Sequence, residues 1–325
     1  MMAARRPLAS LPTPLQRMST LESRLQSGPV YLKRDDLTGF AVAGNKARPL
    51  EFLLGDALER SCDVLVAGGA ASSNFVAAAA VAARVCGLDC HALIAGPAPA
   101  RPPVTLALAE RCGATLHFMP AAREDLDRLV EQHADELRRL GRRPYPLPRG
   151  GATAVGALGF AYATAELATQ LAAAGHARHD EVVVVIPTGS GASLAGLLAG
   201  RAAIGVGWRT YGVSVSRPAK QLSTEVLELA GQCAALTGTP APAGPDLHLI
   251  DSVGAGFGRV TDSDRGSMLL ALTSEGVLVD PTYGAKAVTA AVRLLEAGER
   301  APLVLWHTGG LPTALHQLTT PEEWR

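Results

Sequence analysis

The chain has 325 residues, and its 30 lysine and arginine residues balance its 30 aspartate and glutamate residues, so that the formal net charge is zero. This balance argues against nucleic acid or an anionic membrane surface as a partner, and no stretch approaches the roughly 18 consecutive apolar residues of a membrane span. With 48% hydrophobic residues, the chain is long and apolar enough to bury a large core, which indicates a globular protein of one large or two ordinary domains.

Short apolar runs alternate along the chain with alanine- and leucine-rich stretches that are typical of helices. The predicted strands are Val30–Lys33, Val64–Ala67, Cys90–Ala95, Thr115–Phe118, Val182–Ile186, Thr210–Val215 and Leu303–Trp306. The predicted helices are Leu50–Glu59, Ser73–Val85, Val104–Arg111, Glu124–Arg139, Ala154–Ala173, Leu194–Ala203 and Tyr283–Ala297. This alternation favours an α/β fold of parallel sheets covered on both faces. Residues 140–151 predict a linker between two such layers, and residues 237–245 predict a second loop.

The five cysteines are odd in number and scattered, which favours a reducing compartment and predicts a cytoplasmic protein. Cys86, Cys90 and His91 lie close together in the sequence and suggest metal ligands. However, no second group of Cys or His residues in the sequence completes the four ligands of a structural zinc site. The sequence therefore predicts no metal.

Three turns that follow predicted strands are rich in glycine and hydroxyl side chains, at residues 67–74, 187–193 and 307–311. In doubly wound sheets, ligands bind at the carboxyl ends of the strands. The turn Thr188–Ser193 opens a predicted helix, where converging backbone N–H groups bind anions. It has neither the lysine that ends a P-loop nor the dinucleotide fingerprint, so a single phosphomonoester fits it best. The alternative is a plain tight turn with serine N-caps.

Lysine is scarce in this arginine-rich chain, and its four positions are Lys33, Lys46, Lys220 and Lys286. Arginine can replace a solvated lysine, but it cannot form a Schiff base. Lys46 stands beside Gly44 at the start of a predicted helix, where the helix dipole lowers the pKa of an amine. A lysine nucleophile together with a phosphate cradle suggests pyridoxal phosphate. The alternative is a surface lysine that pairs with Glu51 or Asp56.

The residues around Lys46 resemble those of the pyridoxal-phosphate-dependent D-cysteine desulfhydrase and 1-aminocyclopropane-1-carboxylate (ACC) deaminase family. The resemblance rests on motifs spread over nearly the whole chain. These are Pro12–Leu15, Leu32–Thr38, Gly44–Lys46, Leu50–Phe52, Arg143–Tyr145, Gly156–Gly159, Val213–Arg217, Asp280–Tyr283 and His307–Pro312.

The resemblance implies the tryptophan synthase β-like fold. Two open, twisted parallel-sheet domains with helices on both faces are expected, and the cofactor is expected in the cleft between them. Residues 1–52 and 155–325 are expected to form the large domain, and residues 53–154 the small domain. A homodimer is the family expectation.

The resemblance also implies the roles of individual residues. Lys46 forms the Schiff base with the cofactor, Asn74 lies against its phenolic oxygen, and Thr308 meets its pyridine nitrogen. Ser73 binds the substrate carboxylate or assists proton transfer, and Tyr283 is the catalytic tyrosine. The residues expected to hold the phosphate are Thr188, Gly189, Ser190, Gly191, Ala192 and Ser193. Lys286 matches a family lysine that does not form the Schiff base, which indicates a structural role.

Departures from the family pattern bear on the substrate. ACC deaminases place a glutamate directly after the tyrosine, where this chain has Gly284, so Thr308 fits the desulfhydrase pattern. The family sequence Gln-Ser-Asn-His reads Ser72-Ser73-Asn74-Phe75 here. Ser72 and Phe75 are therefore expected to line a less polar substrate pocket, suited to an amino acid bulkier or less polar than D-cysteine.

The expected reaction is α,β-elimination from a small amino acid, which gives a 2-oxo acid and ammonia. Three alternatives remain open at this point. They are a β-replacement synthase that uses the same residues, an ACC deaminase, and a non-catalytic ligand-binding protein on a degenerate scaffold.

Overall fold

The computed structural model describes residues 3–177, 180–244, 247–254 and 256–318, which form two sheets and their covering helices. The strands are β1 (Leu15–Arg17), β2 (Val30–Arg34), β3 (Val64–Gly69), β4 (Asp89–Ala95), β5 (Thr115–Met119), β6 (Pro144–Leu147), β7 (Val183–Thr188), β8 (Arg209–Ser214), β9 (Leu247–Asp251) and β10 (Leu303–His307). The helices are α1 (Ser19–Leu25), α2 (Ala47–Glu59), α3 (Asn74–Val85), α4 (Val104–Arg111), α5 (Leu126–Arg139), α6 (Ala154–Ala173), α7 (Ala192–Ile204), α8 (Ala219–Thr237), α9 (Asp262–Glu275), α10 (Gly284–Glu296) and α11 (Leu311–Leu318).

The larger sheet has six strands in the order β1-β2-β10-β7-β8-β9. Only β1 runs antiparallel to its neighbour, and the other pairs are parallel. Helices α1, α9 and α10 cover one face, and α6, α7 and α8 cover the other. Because both faces are buried, the central strands β7 and β10 consist almost entirely of buried residues.

The smaller sheet has four parallel strands in the order β5-β4-β3-β6. Helices α2 and α3 pack against one face with their alanine and leucine side chains, and α5 covers the other face. The predicted fold class of two parallel sheets with helices on both faces is confirmed. None of the helices in the described part of the chain is both long and apolar enough to span a bilayer.

Every predicted strand and helix is present, with its ends shifted by at most about three residues. The predicted linker at residues 140–151 is wrong, because it contains strand β6. Pro144 and Pro146 make this strand hard to recognise in the sequence, since proline has no backbone N–H group to donate to a neighbouring strand. Strand β6 is the edge of its sheet and pairs only with β3, which is where proline is tolerated.

The second predicted loop, at residues 237–245, connects α8 to β9. Residues 238–243 carry no helix or strand, and Pro245 lies outside the described residues. Strands β3–β6 and helices α3–α5 all fall within residues 53–154. We propose that these residues form the small domain and that residues 1–52 and 155–325 form the large one, with helix α2 crossing the boundary.

A buried network of ion pairs fixes the start of helix α2. Arg48 donates to Asp35 at 2.8 Å and to Glu166 at 2.9 and 3.0 Å. The Nζ of Lys33 contacts Glu166, and the Nε1 of Trp306 donates to Asp35 at 2.8 Å. Lys33 is fully buried in this network, which accounts for one of the four lysines. The network ties together β2, β10, α2 and α6.

Replacing Glu166 with alanine is expected to cost about 3–5 kcal/mol of unfolding free energy, because it leaves Lys33 and Arg48 buried with less compensating charge. Urea unfolding of the wild type and the variant measures this difference. The exposed Glu228→Ala on α8 is the control and should change stability by less than about 0.5 kcal/mol. A Glu166→Ala variant as stable as Glu228→Ala would contradict the stabilising role of Glu166 in the buried network.

The contribution of Glu166 should also depend on pH. Burial alone would raise the pKa of its carboxyl group, but the hydrogen bonds and charges of Arg48 and Lys33 outweigh burial and lower this pKa from 4.5 to about 2. A carboxyl group with a lowered folded-state pKa stabilises the protein above its unfolded-state pKa. The stability difference between wild type and Glu166→Ala should therefore be full above about pH 4.5 and shrink as the pH falls towards 2.

Candidate active site

A cavity lies between the two sheets, at the carboxyl ends of β3, β7 and β10. All three glycine-rich turns reach it, as the rule for ligand sites in doubly wound sheets predicts. Its wall is formed by Asn45, Lys46, Gly68, Gly69, Ala70, Ser72, Ser73, Asn74, Phe75, Arg123, Arg149, Gly150, Pro187, Thr188, Gly189, Ser190, Gly191, Ser193, Phe257, Asp280, Thr282, Tyr283, Thr308, Gly309, Gly310 and Thr313.

The turn Thr188–Ser193, hereafter the Gly-Ser turn, joins the end of β7 to the start of α7. Gly191 caps the helix with a φ of 96°, a left-handed conformation that favours glycine. The first N–H groups of α7 have no partner within the helix, which makes this end of the helix suitable for an anion. At Gly189, a Cβ atom would lie 3.2 Å from Cε1 of Tyr283. The turn therefore lies in close contact with the Tyr283 ring.

The loop that carries Lys46 is locked to the turns on either side of it. A Cβ atom on Gly44 would lie 2.4 Å from the carbonyl oxygen of Thr308, so only glycine allows this close approach of two backbones. The backbone N–H of Asn45 donates to the same carbonyl at 2.9 Å. The Asn45 side chain donates to Oγ of Ser193 at 3.1 Å. Lys46 is therefore held in a fixed position at the cavity wall.

Burial lowers the pKa of Lys46 to about 8. The alternative that Lys46 pairs with Glu51 or Asp56 is wrong. Glu51 forms an ion pair with Arg5 at 2.6 Å, and Asp56 forms one with Arg60 at 3.0 Å. In the described part of the chain, Lys46 forms no ion pair with a carboxylate. It is a partly desolvated amine that faces the cavity and is neutral far more often than an ordinary lysine.

Ser73 and Asn74 lie where β3 leads into α3. The Oγ of Ser73 caps the helix by accepting the backbone N–H of Val76 at 3.3 Å. The Oδ1 of Asn74 is buried and has no hydrogen-bond partner among the described residues. Because an unpartnered buried amide costs about 1–3 kcal/mol, an amide placed on a cavity wall in this way is suited to a ligand that completes its hydrogen bonds.

Asp280 positions Tyr283, a role that was not predicted from the sequence. Its buried carboxylate accepts the backbone N–H groups of Thr282, Tyr283 and Gly284 at 3.1, 3.0 and 2.9 Å. Burial raises the pKa of Asp280 to about 6, against the effect of these hydrogen bonds. Burial also raises the pKa of Tyr283, which keeps its phenol protonated. Asp280 thereby fixes the start of α10 and the Tyr283 ring that precedes it.

Arg123 and Phe257 also line the cavity, although neither was predicted for the site from the sequence. The guanidinium carbon of Arg123 lies 4.0 Å from the centre of the Phe257 ring, a cation–π contact. The Phe257 ring in turn meets the Tyr283 ring edge-on, with the centres 6.1 Å apart. Arg123 lies a few residues after the carboxyl end of β5, and this position in the sequence could have identified it as a candidate site residue. No sequence pattern marked Phe257.

Most of the residues predicted for the site lie on the cavity wall. Ser72 is exposed there, whereas Phe75 is buried and also packs into the core beneath α3. Ala192 is the exception, since this first residue of α7 does not line the cavity. Lys286 is not part of the wall either, because its Nζ donates to the carbonyl of Ser252 at 2.6 Å.

Comparison with known proteins matches residues 7–309 to the family described as pyridoxal-phosphate dependent enzyme. The chain belongs to this family. It is 35% identical over 321 residues to a D-cysteine desulfhydrase of Salmonella newport, which covers 94% of this chain and 93% of the relative. It is 34% identical over 306 residues to a Pyrococcus horikoshii protein provisionally named as an ACC deaminase, covering 94% and 91% of the two chains.

A solved structure described as an ACC deaminase homologue superposes with a TM-score of 0.91 at 31% sequence identity. The match covers 100% of this chain and 97% of the other. The resemblance to the D-cysteine desulfhydrase and ACC deaminase family is therefore confirmed, and the cofactor of the enzyme is pyridoxal phosphate.

The residues of the cavity fit this cofactor. Its aldehyde requires an amine, which Lys46 offers in a form that is often neutral. Its phosphate requires an anion site, which the N–H groups at the start of α7 provide. Its ring requires polar partners, and the buried Oδ1 of Asn74 lacks one. A cavity wall with an amine, an anion cradle and an unpartnered amide matches the three polar ends of pyridoxal phosphate.

If Lys46 is the amine that binds pyridoxal phosphate, its lowered pKa predicts how the rate of cofactor capture by the apoenzyme depends on pH. Only the neutral amine attacks an aldehyde, so the capture rate should rise about tenfold per pH unit below pH 8 and level off above it. Stopped-flow absorbance measures this rate. A capture rate that keeps rising beyond pH 9.5 would indicate a lysine with an ordinary pKa and would contradict the lowered pKa of Lys46.

Proposed function

We propose that this enzyme catalyses α,β-elimination from a small amino acid and releases a 2-oxo acid and ammonia. The observation that carries the proposal is the position of Lys46, a partly buried amine with a lowered pKa that shares one cavity with the Gly-Ser turn and Tyr283. The D-cysteine desulfhydrase and ACC deaminase names of its relatives support the same class of substrate.

In this proposal, the wall residues hold the cofactor at four points. Lys46 would bind its aldehyde, and the Gly-Ser turn would bind its phosphate. Asn74 would face its phenolic oxygen, and Thr308 would face its pyridine nitrogen. When bound, pyridoxal phosphate supplies an electron sink for the charge that develops at the substrate α-carbon.

The remaining steps belong to the side chains of this chain. Ser73 binds the substrate carboxylate. The amine of Lys46, once released by the incoming substrate, removes the α-proton, and its lowered pKa suits a general base near neutral pH. Tyr283 keeps its proton because of burial, so it is able to protonate the leaving group at the β-carbon. Asp280 holds Tyr283 in place for this transfer.

The surroundings of Tyr283 favour elimination over ACC ring opening. A Cβ atom on Gly284 would lie 2.8 Å from Cβ of Val279. A glutamate at this position, which the family pattern gives to ACC deaminases, would therefore require the backbone to shift. The neutral hydroxyl of Thr308 would leave the pyridine nitrogen of the bound cofactor largely unprotonated and its ring a weaker electron sink, which would suffice for β-elimination.

We infer a substrate bulkier or less polar than D-cysteine. Ser72, Phe75 and Phe257 contribute to the cavity wall, and the two phenylalanines give it apolar surface. The guanidinium group of Arg123, which also lines the cavity, is stacked on the ring of Phe257. A β-substituent with an alkyl group would bury apolar area here that a bare thiol does not, at about 0.8 kcal/mol per CH₂ group.

A comparison of rates tests this function. Purified enzyme would be given D- and L-cysteine, their S-methyl and S-ethyl derivatives, and ACC, while 2-oxo acid and ammonia are quantified. We expect kcat/KM to be higher for an S-alkylcysteine than for D-cysteine, and ACC to be inert. If D-cysteine is the best substrate, the inferred substrate is wrong, although elimination stands.

The same assay separates the alternatives to elimination. Product formation only after a nucleophile is added would indicate a β-replacement synthase. ACC turnover would indicate an ACC deaminase. Binding without turnover of any of these amino acids would indicate a ligand-binding protein. Each of these results contradicts the proposed elimination.

We propose a cytoplasmic homodimer that acts on a small amino acid. The cytoplasmic assignment is supported by the five cysteines, Cys62, Cys86, Cys90, Cys112 and Cys233, which are all free. The homodimer rests on the family resemblance. Analytical ultracentrifugation of the holoenzyme would test the dimer.

A further inference from the structure

Three histidines that are far apart in the sequence meet on the face of the smaller sheet that α5 covers. His91 lies in β4, His117 in β5 and His133 in α5. In the parallel register, His91 is opposite Thr115 and Leu93 is opposite His117. Side chains two residues apart on a strand lie on the same face of the sheet, so both imidazoles point towards the helix that carries His133.

The ring nitrogens of the three histidines converge on one point. Nδ1 of His91 lies 2.8 Å from Nε2 of His133 and 3.2 Å from Nε2 of His117. One nitrogen atom from each histidine lies within 4.8 Å of the other two. An imidazole nitrogen carries either one hydrogen or one lone pair, so His91 Nδ1 cannot form a good hydrogen bond with both neighbours. A cation between the rings would accept a lone pair from all three.

We propose that His91, His117 and His133 bind a divalent transition-metal ion, and that Zn²⁺ is the ion best matched to them. Imidazole is a preferred ligand of zinc, copper and nickel, whereas magnesium and calcium prefer oxygen. Tetrahedral ligands with Zn–N distances of about 2.0–2.1 Å stand about 3.4 Å apart. The separations of 2.8 and 3.2 Å at Nδ1 of His91 differ from this value by about 0.6 and 0.2 Å, so these two pairs of ring nitrogens need only small movements to fit it.

The surroundings of the three histidines fit a metal site. Oε2 of Glu136 lies 3.4 Å from Nδ1 of His133, which is the ring nitrogen opposite the one that faces the other histidines. A carboxylate in this position orients a metal-bound imidazole and increases its basicity. All three histidines are only partly buried, so water has access as a fourth ligand. Arg142 is a cation whose charge influences His91. Its ion pairs with Asp63 and Asp89 offset this charge.

The site is separate from the pyridoxal phosphate cavity. His91 lies near the amino end of β4, whereas the cavity is at the carboxyl ends of the strands. A metal ion here would link β4, β5 and α5, so we assign it a structural role in the smaller sheet. The sequence predicted no metal, because Cys86, Cys90 and His91 are the candidate ligands that lie close together in it and no second group completes a site. Cys90 packs into the core on the opposite face from His91.

Metal titration of the holoenzyme, prepared without a histidine tag and freed of metal with a chelator, tests the proposal. We expect calorimetry to show one high-affinity Zn²⁺ per chain, and Co²⁺ to give the intense visible absorption of a four-coordinate nitrogen site. His117→Gln and His133→Gln should each weaken Zn²⁺ binding more than 100-fold. Glu136→Gln should weaken it by about 10-fold, the smaller loss typical of an outer partner. The exposed His316→Gln should bind as the wild type does.

Zn²⁺ should also raise the Tm of the wild type but not that of His133→Gln, since an ion that binds only the folded state stabilises it. Circular dichroism and the cofactor absorbance show whether each variant is folded, and His133, on the helix, is the position least able to disturb the sheet. The proposal is overturned if no stoichiometric Zn²⁺ binds, or if binding survives in folded His133→Gln. Neither result bears on the proposed elimination reaction.

Discussion

Replacing Lys46 with alanine is expected to lower kcat/KM for elimination by at least about 10⁴-fold, the upper end of what one positioned acid–base group contributes. The loss is large because, in the proposed mechanism, the same amine binds the cofactor and then moves the α-proton. Its burial and lowered pKa suit both tasks. The rate of 2-oxo acid formation, measured with saturating pyridoxal phosphate, checks this expectation.

Two controls sharpen the Lys46 experiment. Lys220→Arg removes an exposed lysine of α8 and should leave the rate within about twofold of the wild type, as expected for a surface substitution. Added methylamine should restore part of the activity of Lys46→Ala, because a small amine is able to enter the space that the side chain vacates. A Lys46→Ala variant that retains more than a tenth of the wild-type rate would contradict the proposed catalytic role of Lys46.

Replacing Tyr283 with phenylalanine is expected to reduce kcat by about 10²–10⁴-fold, the range for loss of a general acid. The ring remains and continues to pack over Gly189 and against Phe257, so the affinity for pyridoxal phosphate should change little. The lost group is a phenol whose pKa is raised by burial, and it therefore carries a proton at neutral pH. Steady-state kinetics together with a cofactor titration measure both quantities.

The leaving group provides a second readout for Tyr283. If its phenol protonates the leaving group, a substrate with a good leaving group, such as β-chloroalanine, should be affected much less by Tyr283→Phe than an S-alkylcysteine. Tyr162→Phe is the matched control, since this tyrosine is exposed on α6. An equal loss with both substrates, or a rise in KM with unchanged kcat, would assign Tyr283 to substrate binding instead.

Local patterns in the sequence predicted most of the fold. The strands β3, β7 and β10 are runs of apolar residues buried on both faces, so their composition alone marks them. The edge strand β6 escaped prediction because its two prolines are compatible with a strand only at an edge. The position of an edge is a property of the assembled sheet, and no local pattern reports it.

The residues that line the candidate site were predictable where they are rare in the chain or need a special backbone conformation. Lys46 stands out because lysine is scarce, and the Gly-Ser turn stands out because of its glycines. Asp280 did not stand out, since its role depends on burial beneath α10 and on three backbone N–H groups. Phe257 and the histidines on β4, β5 and α5 were not predictable as parts of sites, because tertiary packing alone brings them to their partners.

The proposed mechanism depends on Lys46 as the residue that holds pyridoxal phosphate. Borohydride reduction of the holoenzyme makes the bond between cofactor and amine permanent, and peptide mapping by mass spectrometry then locates it. We expect one label per chain, on Lys46. A label on Lys33, Lys220 or Lys286 would contradict this role of Lys46. So would the absence of a label on a protein that shows cofactor absorbance.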